Sequence, residues 1–440
     1  MTDSKQIARR IFHEALASID IPLAMERRIG RSGSRISVGA WSCDLANISG
    51  VKLVALGKAA HAMLSGFVPL FPGLAITGIA AAPTPSPNPI PGISYFLAGH
   101  PLPNEASLHA AQAALELLRS SSQSSLVVFL VSGGGSALME SPLNPHQSLD
   151  DTRHLNQLLI TCGASIDEIN AIRKHASAIK GGRLAVAAAN SAKLTIAISD
   201  VPHGKESALA SGPTLPDPTT VADVRRIIGA YHLHEKFPPK VRDWFAAPDL
   251  PETPKPDHPA FARSSFSLLL ASHDLFHAAH HAAESHGFLT CCDNSTDDWP
   301  LDRAAAYLLA QLDDLCRANP GRRVALISDG EVSSPVTGQG IGGRNSAFVL
   351  ACVEKIAGKP VTVLSAGTDG IDGNSPAAGA VADGTTLARA NALRLAPQDF
   401  FLRSDAFSFF THLGDTILTG PTGNNLRDLR IFLAHPLRCE

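Results

Sequence analysis

Short apolar runs of strand length recur along this chain, at 51–56, 93–97, 126–131, 194–198, 266–270, 324–327, 361–364 and 416–418. Most end in a glycine-rich or polar turn that leads into an alanine- and leucine-rich segment of helical pattern. A strand that is apolar on both faces must be covered on both faces, and a helix after it returns the chain for a parallel neighbour. The alternation therefore predicts an α/β protein whose mainly parallel sheets carry flanking helices. In such sheets ligands sit beyond the carboxyl ends of the strands, so the turn after each strand is where chemistry is expected.

With 440 residues the chain is long enough for two such domains. Two proline-rich stretches punctuate it. The segment 83–91 has strand signals on both sides and reads as a surface loop within one domain. The longer, charged segment 248–259 reads as a linker, which puts one domain at 1–250 and the other at 260–440. Ahead of the first strand, Ile7, Ile11, Phe12, Ala15, Leu16 and Ile19 recur at helical spacing and predict a packing helix.

Charge excludes whole classes of partner. Lys and Arg total 37 against 40 Asp and Glu, so no broad basic field exists for a nucleic acid or an anionic membrane, and an anionic partner must be small and locally held. The 7 cysteines form neither a disulfide framework nor a Cys-x-x-Cys zinc pattern, which points to a reducing cytoplasm. No apolar run reaches membrane-spanning length, and the N-terminus lacks a signal-peptide core.

Several turns carry candidate chemistry. Run 126–131 leads into Ser132, Gly133, Gly134, Gly135 and Ser136, where glycines permit left-handed backbone and convergent N–H groups, and a following helix would add positive potential. That is a phosphate cradle or simply a tight turn. Lys58 stands at the end of the first strand among glycine and alanine, a surface lysine or an anion contact. Arg173, Ser177 and Lys180 fall at i, i+4 and i+7 of one helix face, closed by Gly181 and Gly182 before Arg183. They read as a solvated basic face or a clamp for carboxylate or phosphate.

Asp200 follows run 194–198, and Asp369 and Asp372 share the turn after run 361–364. Carboxylates so placed suit Mg2+ or substrate hydroxyls, or serve as plain turn formers. Thr419 to Asn425 make another polar turn after a strand. Gly338, Gly340 and Gly343 spell G-x-G-x-x-G, yet they lie too far beyond run 324–327 for a dinucleotide turn. His273, His277, His280 and His281 share a helix but lack the glutamate and third ligand of a zinc site, so a polar face on an alanine-rich helix is expected.

Together these segments resemble the type II glycerate kinases, which phosphorylate D-glycerate at its 2-hydroxyl and carry a C-terminal MOFRL domain. The matching pieces run in order over nearly the whole chain: GKAA at 57–60, GHPLPNEAS at 99–107, VSGGGSALM at 131–139, the IRKH and IKGGRLA pieces, SGPTLPDPTT at 211–220, GIGGRN at 340–345, GTDGIDGNSPAAGA at 367–380 and TGPTGNN at 419–425. The resemblance implies a Rossmann-like N-terminal domain and a smaller MOFRL-type domain with its core at about 322–435. It also implies ATP and Mg2+ as cofactors, a short hydroxy acid as substrate and a monomer or homodimer.

By resemblance, Lys58 and Arg344 are the catalytic positions, in an interdomain cleft. Phosphoryl transfer asks chiefly for positioning and charge neutralisation. Ser132 to Ser136 and Lys180 would hold phosphate oxygens, Asp200, Asp369 or Asp372 the metal, and Arg173 and Asn345 would serve the substrate or metal. Arg344 would meet either the phosphoryl oxygens or the substrate carboxylate. Two departures bear on substrate or metal: His203-Gly204 replaces Gly-Asp after Asp-Val-Pro, and Ser346-Ala347 replaces Gln-Glu after GGRN. The rivals are an NAD(P)H-dependent hydroxypyruvate reductase and a non-catalytic binder of a small acid.

Overall fold

A three-stranded antiparallel meander, β1 (Ile29–Ser32), β2 (Arg35–Val38) and β3 (Trp41–Asp44), precedes the main sheets in the computed structural model, which describes residues 4–188, 190–201 and 204–436. The sequence signals no strand there, because these strands are short and bury little beyond Ile29, Ile36 and Val38.

The next six strands are β4 (Gly50–Leu56), β5 (Ile76–Ala82), β6 (Ile93–Leu97), β7 (Ser125–Val131), β8 (Ala192–Ser199) and β9 (Ser264–Ala271), in spatial order β6-β5-β4-β7-β8-β9. Parallel pairing runs from β6 through β8. β7 is buried along its whole length, as a continuous apolar run requires. The chain leaves β4 outward to β5 and β6, then returns to the other side of β4 as β7, so the strand order reverses between β4 and β7. Their ends are in register, Leu56 opposite Val131. That reversal opens a crevice at the carboxyl edge of an α/β sheet, and here the 57–59 and 132–136 turns emerge side by side.

The other sheet contains β10 (Leu289–Cys292), β11 (Val324–Asp329), β12 (Val361–Gly367), β13 (Gly379–Asp383), β14 (Thr416–Ile417) and β15 (Asp428–Ala434), ordered β10-β11-β15-β12-β13-β14. The α/β class holds, but the expectation of a mainly parallel second sheet does not: only β10–β11 pairs in parallel. β15 slots antiparallel between β11 and β12, and β12 reaches β13 through a loop with no crossover helix, which enforces antiparallel pairing.

The chain divides into two compact units, residues 21–270 and residues 1–20 with 271–440. The predicted N-terminal helix forms over Ser4–Ser18 and buries Ile11, Phe12 and Ala15 against helix Ser272–Ser285 and strands β12, β13 and β15 of the second unit. The stretch 248–259 is part of the first unit rather than a free connection. Leu250 joins a core with Phe237 and Phe245, and the Pro254 carbonyl accepts from the Asp217 N–H.

The histidine-bearing helix Ser272–Ser285 buries Leu275, Ala279, Ala282 and Ala283, while His280 and His281 pair with Glu284. Among the described residues no cluster of three or more His, Cys, Asp or Glu is arranged to hold a metal. Cys43, Cys162, Cys291, Cys292, Cys316 and Cys352 are free thiols. No described helix is long and apolar enough to cross a membrane.

Candidate active site

Where β4 and β7 end, the two turns are stitched together by their backbones. The Lys58 N–H donates to the Gly133 carbonyl at 2.9 Å, and the Ala59 N–H donates to Ser132 Oγ at 3.0 Å. Gly57 adopts φ +122°, and a Cβ there would stand 2.1 Å from Ser132 Oγ, so only glycine permits this approach. Gly134 is left-handed at φ +82°, and the N–H groups of Gly134, Gly135 and Ser136 have no acceptor among the described residues. The helix that follows is only Gly135–Leu138, so the positive potential expected of a full helix reduces to these unpaired N–H dipoles.

Behind the turn, Ser136 Oγ lies 2.8 Å from Ser211 Oγ, which donates to Asn170 Oδ1 at 2.8 Å. Ala210, Ser211 and Gly212 run left-handed in succession, at φ 50°, 59° and 60°. Such backbone persists only when its surroundings hold it. Here the N–H groups of Gly181, Gly182 and Leu184 donate to the carbonyls of Ser211, Gly212 and Pro213.

The predicted basic face comes apart in three dimensions. Its helix is Ile166–Ala176, and Ser177 is already extended at φ −113°, ψ 139°, so Ser177 and Lys180 leave the helix. Buried Lys180 donates its ammonium to Glu140, whose other oxygen accepts from Ser177 Oγ at 2.7 Å. Burial pushes the Lys180 pKa down and Glu140 opposes that shift. Arg173 Nε donates to Asn156 Oδ1 at 2.9 Å. Asp200 follows β8 directly, at the same sheet edge. The departure at His203 lies outside the described residues, and the Gly204 N–H donates to Glu206 Oε1 at 2.9 Å.

Sequence reasoning missed three partners here. Glu140 sits just past the glycine turn with no signal of its own beyond a buried carboxylate among apolar neighbours. Lys174 meets Asp217 at 3.1 Å, both buried, and was masked by the more prominent Arg173. His100 lies in the GHPLPNEAS piece; a Cβ on Gly134 would stand 3.2 Å from its ring and 3.3 Å from Lys58 Cγ.

In the second unit, helix Arg344–Cys352 begins against the loop after β12. Asp372 accepts from the N–H groups of Asn345 at 2.9 Å and Ser346 at 2.8 Å, and from Ser346 Oγ at 2.5 Å, which caps the helix. Burial pushes the Asp372 carboxyl above its usual range, against the pull of these bonds. Asn345 is buried and accepts from Ser365 Oγ at 2.6 Å. Asp369 turns its own loop, Oδ1 accepting from the Ile371 N–H at 3.1 Å. Ser346, one of the departures from the family pattern, is thus the side chain that locks the cap.

Arg344 spans two carboxylates that the sequence did not single out, with Nε 2.5 Å from Asp428 Oδ2 and Nη1 2.7 Å from Glu331 Oε2. Burial alone would lower its pKa, but Asp428 and Glu331 raise it, so the guanidinium is held charged. The glycines of the G-x-G-x-x-G string have another purpose. A Cβ on Gly338 would stand 2.3 Å from the Arg403 carbonyl oxygen, one on Gly340 2.4 Å from Asp405 Cβ, and one on Gly343 2.3 Å from Asp372 Oδ1. They let loop 334–343 lie flat on neighbouring backbone ahead of Arg344.

Each unit thus places a cation beside a glycine-rich segment, Lys58 against the 132–136 turn and Arg344 directly after the 338–343 loop. Residues 7–246 match the family described as "Domain of unknown function (DUF4147)", and residues 324–428 match the MOFRL family. A Pyrococcus horikoshii glycerate 2-kinase is 31% identical over 98% of this chain and 97% of its own length. An Agrobacterium vitis protein provisionally named hydroxypyruvate reductase is 33% identical over 98% of this chain and 94% of its own. The crystal structure of Thermotoga maritima glycerate kinase superposes with a TM-score of 0.84 at 29% identity, covering 98% of this chain and 99% of that one. The class is a two-domain α/β kinase. The chain belongs to the glycerate 2-kinase family, with a DUF4147 region followed by a MOFRL region.

Proposed function

We propose that the protein transfers the terminal phosphoryl group of ATP to the 2-hydroxyl of D-glycerate, giving 2-phosphoglycerate. The observation that carries this reading is the turn pair at the β4/β7 reversal, where the Gly134–Ser136 turn, with its unused N–H groups, lies against the stem of Lys58. Such a cradle suits phosphate oxygens, and an oriented cation beside it stabilises charge on the transferring group. Arg344 supplies a second fixed cation, held by Asp428 and Glu331. The two folding units and the two family regions are taken as the functional division of the chain, the first with the phosphate cradle and the second with Arg344.

Among the described residues the carboxylates are not grouped as a cage for magnesium. Both oxygens of Asp372 are spent on the helix cap, and no three acidic or histidine side chains converge among the described residues. Mg2+ is therefore proposed as part of the substrate, carried by the nucleotide phosphates, as is common for this ion. Lys180, neutralised by Glu140, acts by bracing the 177–183 segment, while Asp200 directly follows β8 and Asp369 lies just past β12. The reductase alternative is disfavoured because Gly338, Gly340 and Gly343 are consumed by backbone packing. The protein is proposed to work in the cytoplasm as a monomer or homodimer.

One pair of assays tests the reading. D-glycerate with ATP and Mg2+ should yield 2-phosphoglycerate, and hydroxypyruvate with NAD(P)H should show no turnover. Formation of 3-phosphoglycerate alone, or nicotinamide oxidation with ATP untouched, would overturn it. A different short hydroxy acid as best substrate would point to the departures at His203-Gly204 and Ser346-Ala347.

A further inference from the structure

We propose that His100 is the general base of the transfer, its imidazole taking the proton of the acceptor hydroxyl as that oxygen attacks phosphorus. The inference rests on the kinase reading above and adds to it the residue that activates the nucleophile.

Placement comes first. The point 3.2 Å from Cδ2 and Nε2 of His100 is also 3.3 Å from Lys58 Cγ, directly over Gly134, so the ring, the lysine stem and the N–H cradle meet. The loop that bears His100 is fixed from below. The Gly99 N–H donates to buried Ser107 Oγ at 3.1 Å, Asn104 and Ser107 cap helix Glu105–Arg119 reciprocally, and a Cβ on Gly99 would strike the Leu102 carbonyl at 2.3 Å. A base must be held in place by groups other than those it serves.

Use by the fold comes second. His175 Nδ1 is tied to the Ala171 carbonyl, His61 Nε2 to the Thr84 carbonyl and His412 Nδ1 to the Ser408 carbonyl. Neither ring nitrogen of His100 has a hydrogen-bond partner among the described residues. The residue stays open to solvent, which gives the captured proton an exit.

Protonation state comes third. Partial burial of the ring, and then the charge of Lys58, push the imidazole below its usual value of 6.5, so it is neutral at pH 7 and able to accept. Lys58 is the charged group acting on it. In the step, the hydroxyl O–H bond breaks and its proton passes to an imidazole nitrogen. The new O–P bond forms while the bond from the terminal phosphorus to the bridging oxygen breaks, and nucleoside diphosphate departs. The imidazolium then gives its proton to water.

The test uses the full chain with D-glycerate and MgATP. His100→Gln should lower kcat at least ~100-fold, with the KM for ATP and the melting temperature near those of the parent. The parent should lose kcat/KM below pH 6.5 through an acid limb that the variant lacks. Added imidazole should restore part of the turnover of His100→Ala, a rescue that no structural role predicts, and His100→Asn replaces either variant that fails to fold. Turnover within threefold of the parent, an unchanged acid limb, or a raised KM with unchanged kcat would overturn the assignment. A parent that phosphorylates no short hydroxy acid would overturn the kinase reading itself, which separates the two failures.

Discussion

Arg344 Nε lies 2.5 Å from Oδ2 of Asp428, a carboxylate only 3% exposed at the start of β15. A cation at a strand end with little packing to do, as the sequence presents it, would be removable without harm to the fold. The pairing changes that expectation. Arg344→Ala strands the buried Asp428 charge, and because the guanidinium is partly solvated the loss should be about 1–3 kcal/mol, less than for a fully buried pair. Thermal denaturation should show it, and Asp428→Asn in the same chain should recover stability without recovering turnover. Arg344→Lys should recover little of either, since an ammonium lacks the planar fork that reaches Asp428 and Glu331 together. An unchanged melting temperature for Arg344→Ala would refute the structural share of its role.

Lys58 joins the turn through its backbone N–H, which donates to the Gly133 carbonyl. Lys58→Ala keeps that bond. It should lower kcat/KM at least ~100-fold, since an oriented cation at a developing phosphoryl charge is worth about 3 kcal/mol or more, while the melting temperature barely moves. Near-normal turnover would take Lys58 out of the site.

Gly57→Ala should damage both stability and activity. The added Cβ meets Ser132 Oγ and the Ser132 carbonyl oxygen, at 2.1 Å and 2.5 Å, in a backbone conformation unsuited to an L side chain. The β4 and β7 turns would be forced apart at a cost of roughly 1–3 kcal/mol. Calorimetry paired with the kinase assay checks this. A fully stable but inactive variant would show that the close approach serves chemistry alone.

The Lys174–Asp217 pair predicts a specific acid response. Burial alone would raise the Asp217 pKa, but Lys174 and the Thr219 hydroxyl outweigh it and the folded value lies below the usual 3.8. A depressed carboxyl contributes stability that is present above pH 3.8 and lost as pH falls through the folded pKa. Lys174→Met leaves a buried carboxylate without its cation and should cost about 3–5 kcal/mol at neutral pH. The gap to the parent should narrow as pH falls toward the parent's folded value below 3.8, where the carboxylate of the parent is neutralised as well. Denaturant titrations at pH 7 and pH 3 read the difference, and a gap that is constant with pH would discard the pair as its source.

Much of the frame was legible because its signals are local. A buried parallel strand such as β7 is a continuous apolar run, a strand end next to Gly57 or Gly134 announces a turn, and the helix Ser4–Ser18 shows its apolar stripe directly. Strands without such a run escaped notice. β5 is diluted by glycine and alanine, and β15 carries Arg430 at its centre, fully buried and donating to the carbonyls of Asp329 and Gly330.

The residue chemistry at the strand ends, Lys58, the Ser132–Ser136 turn, Arg344 and the Asp369–Asp372 loop, was determined by the sequence itself, since each motif is contiguous. Only the tertiary structure decided which of these charges remain available. Lys180 is neutralised by a glutamate 40 positions away, Arg344 is gripped by an aspartate 84 positions away, and Asp372 is consumed by a helix cap 26 and 27 positions away. The physical reason is that burial makes an unpaired charge too costly to keep, so each must find a partner, and that partner is chosen by chain topology rather than by spacing.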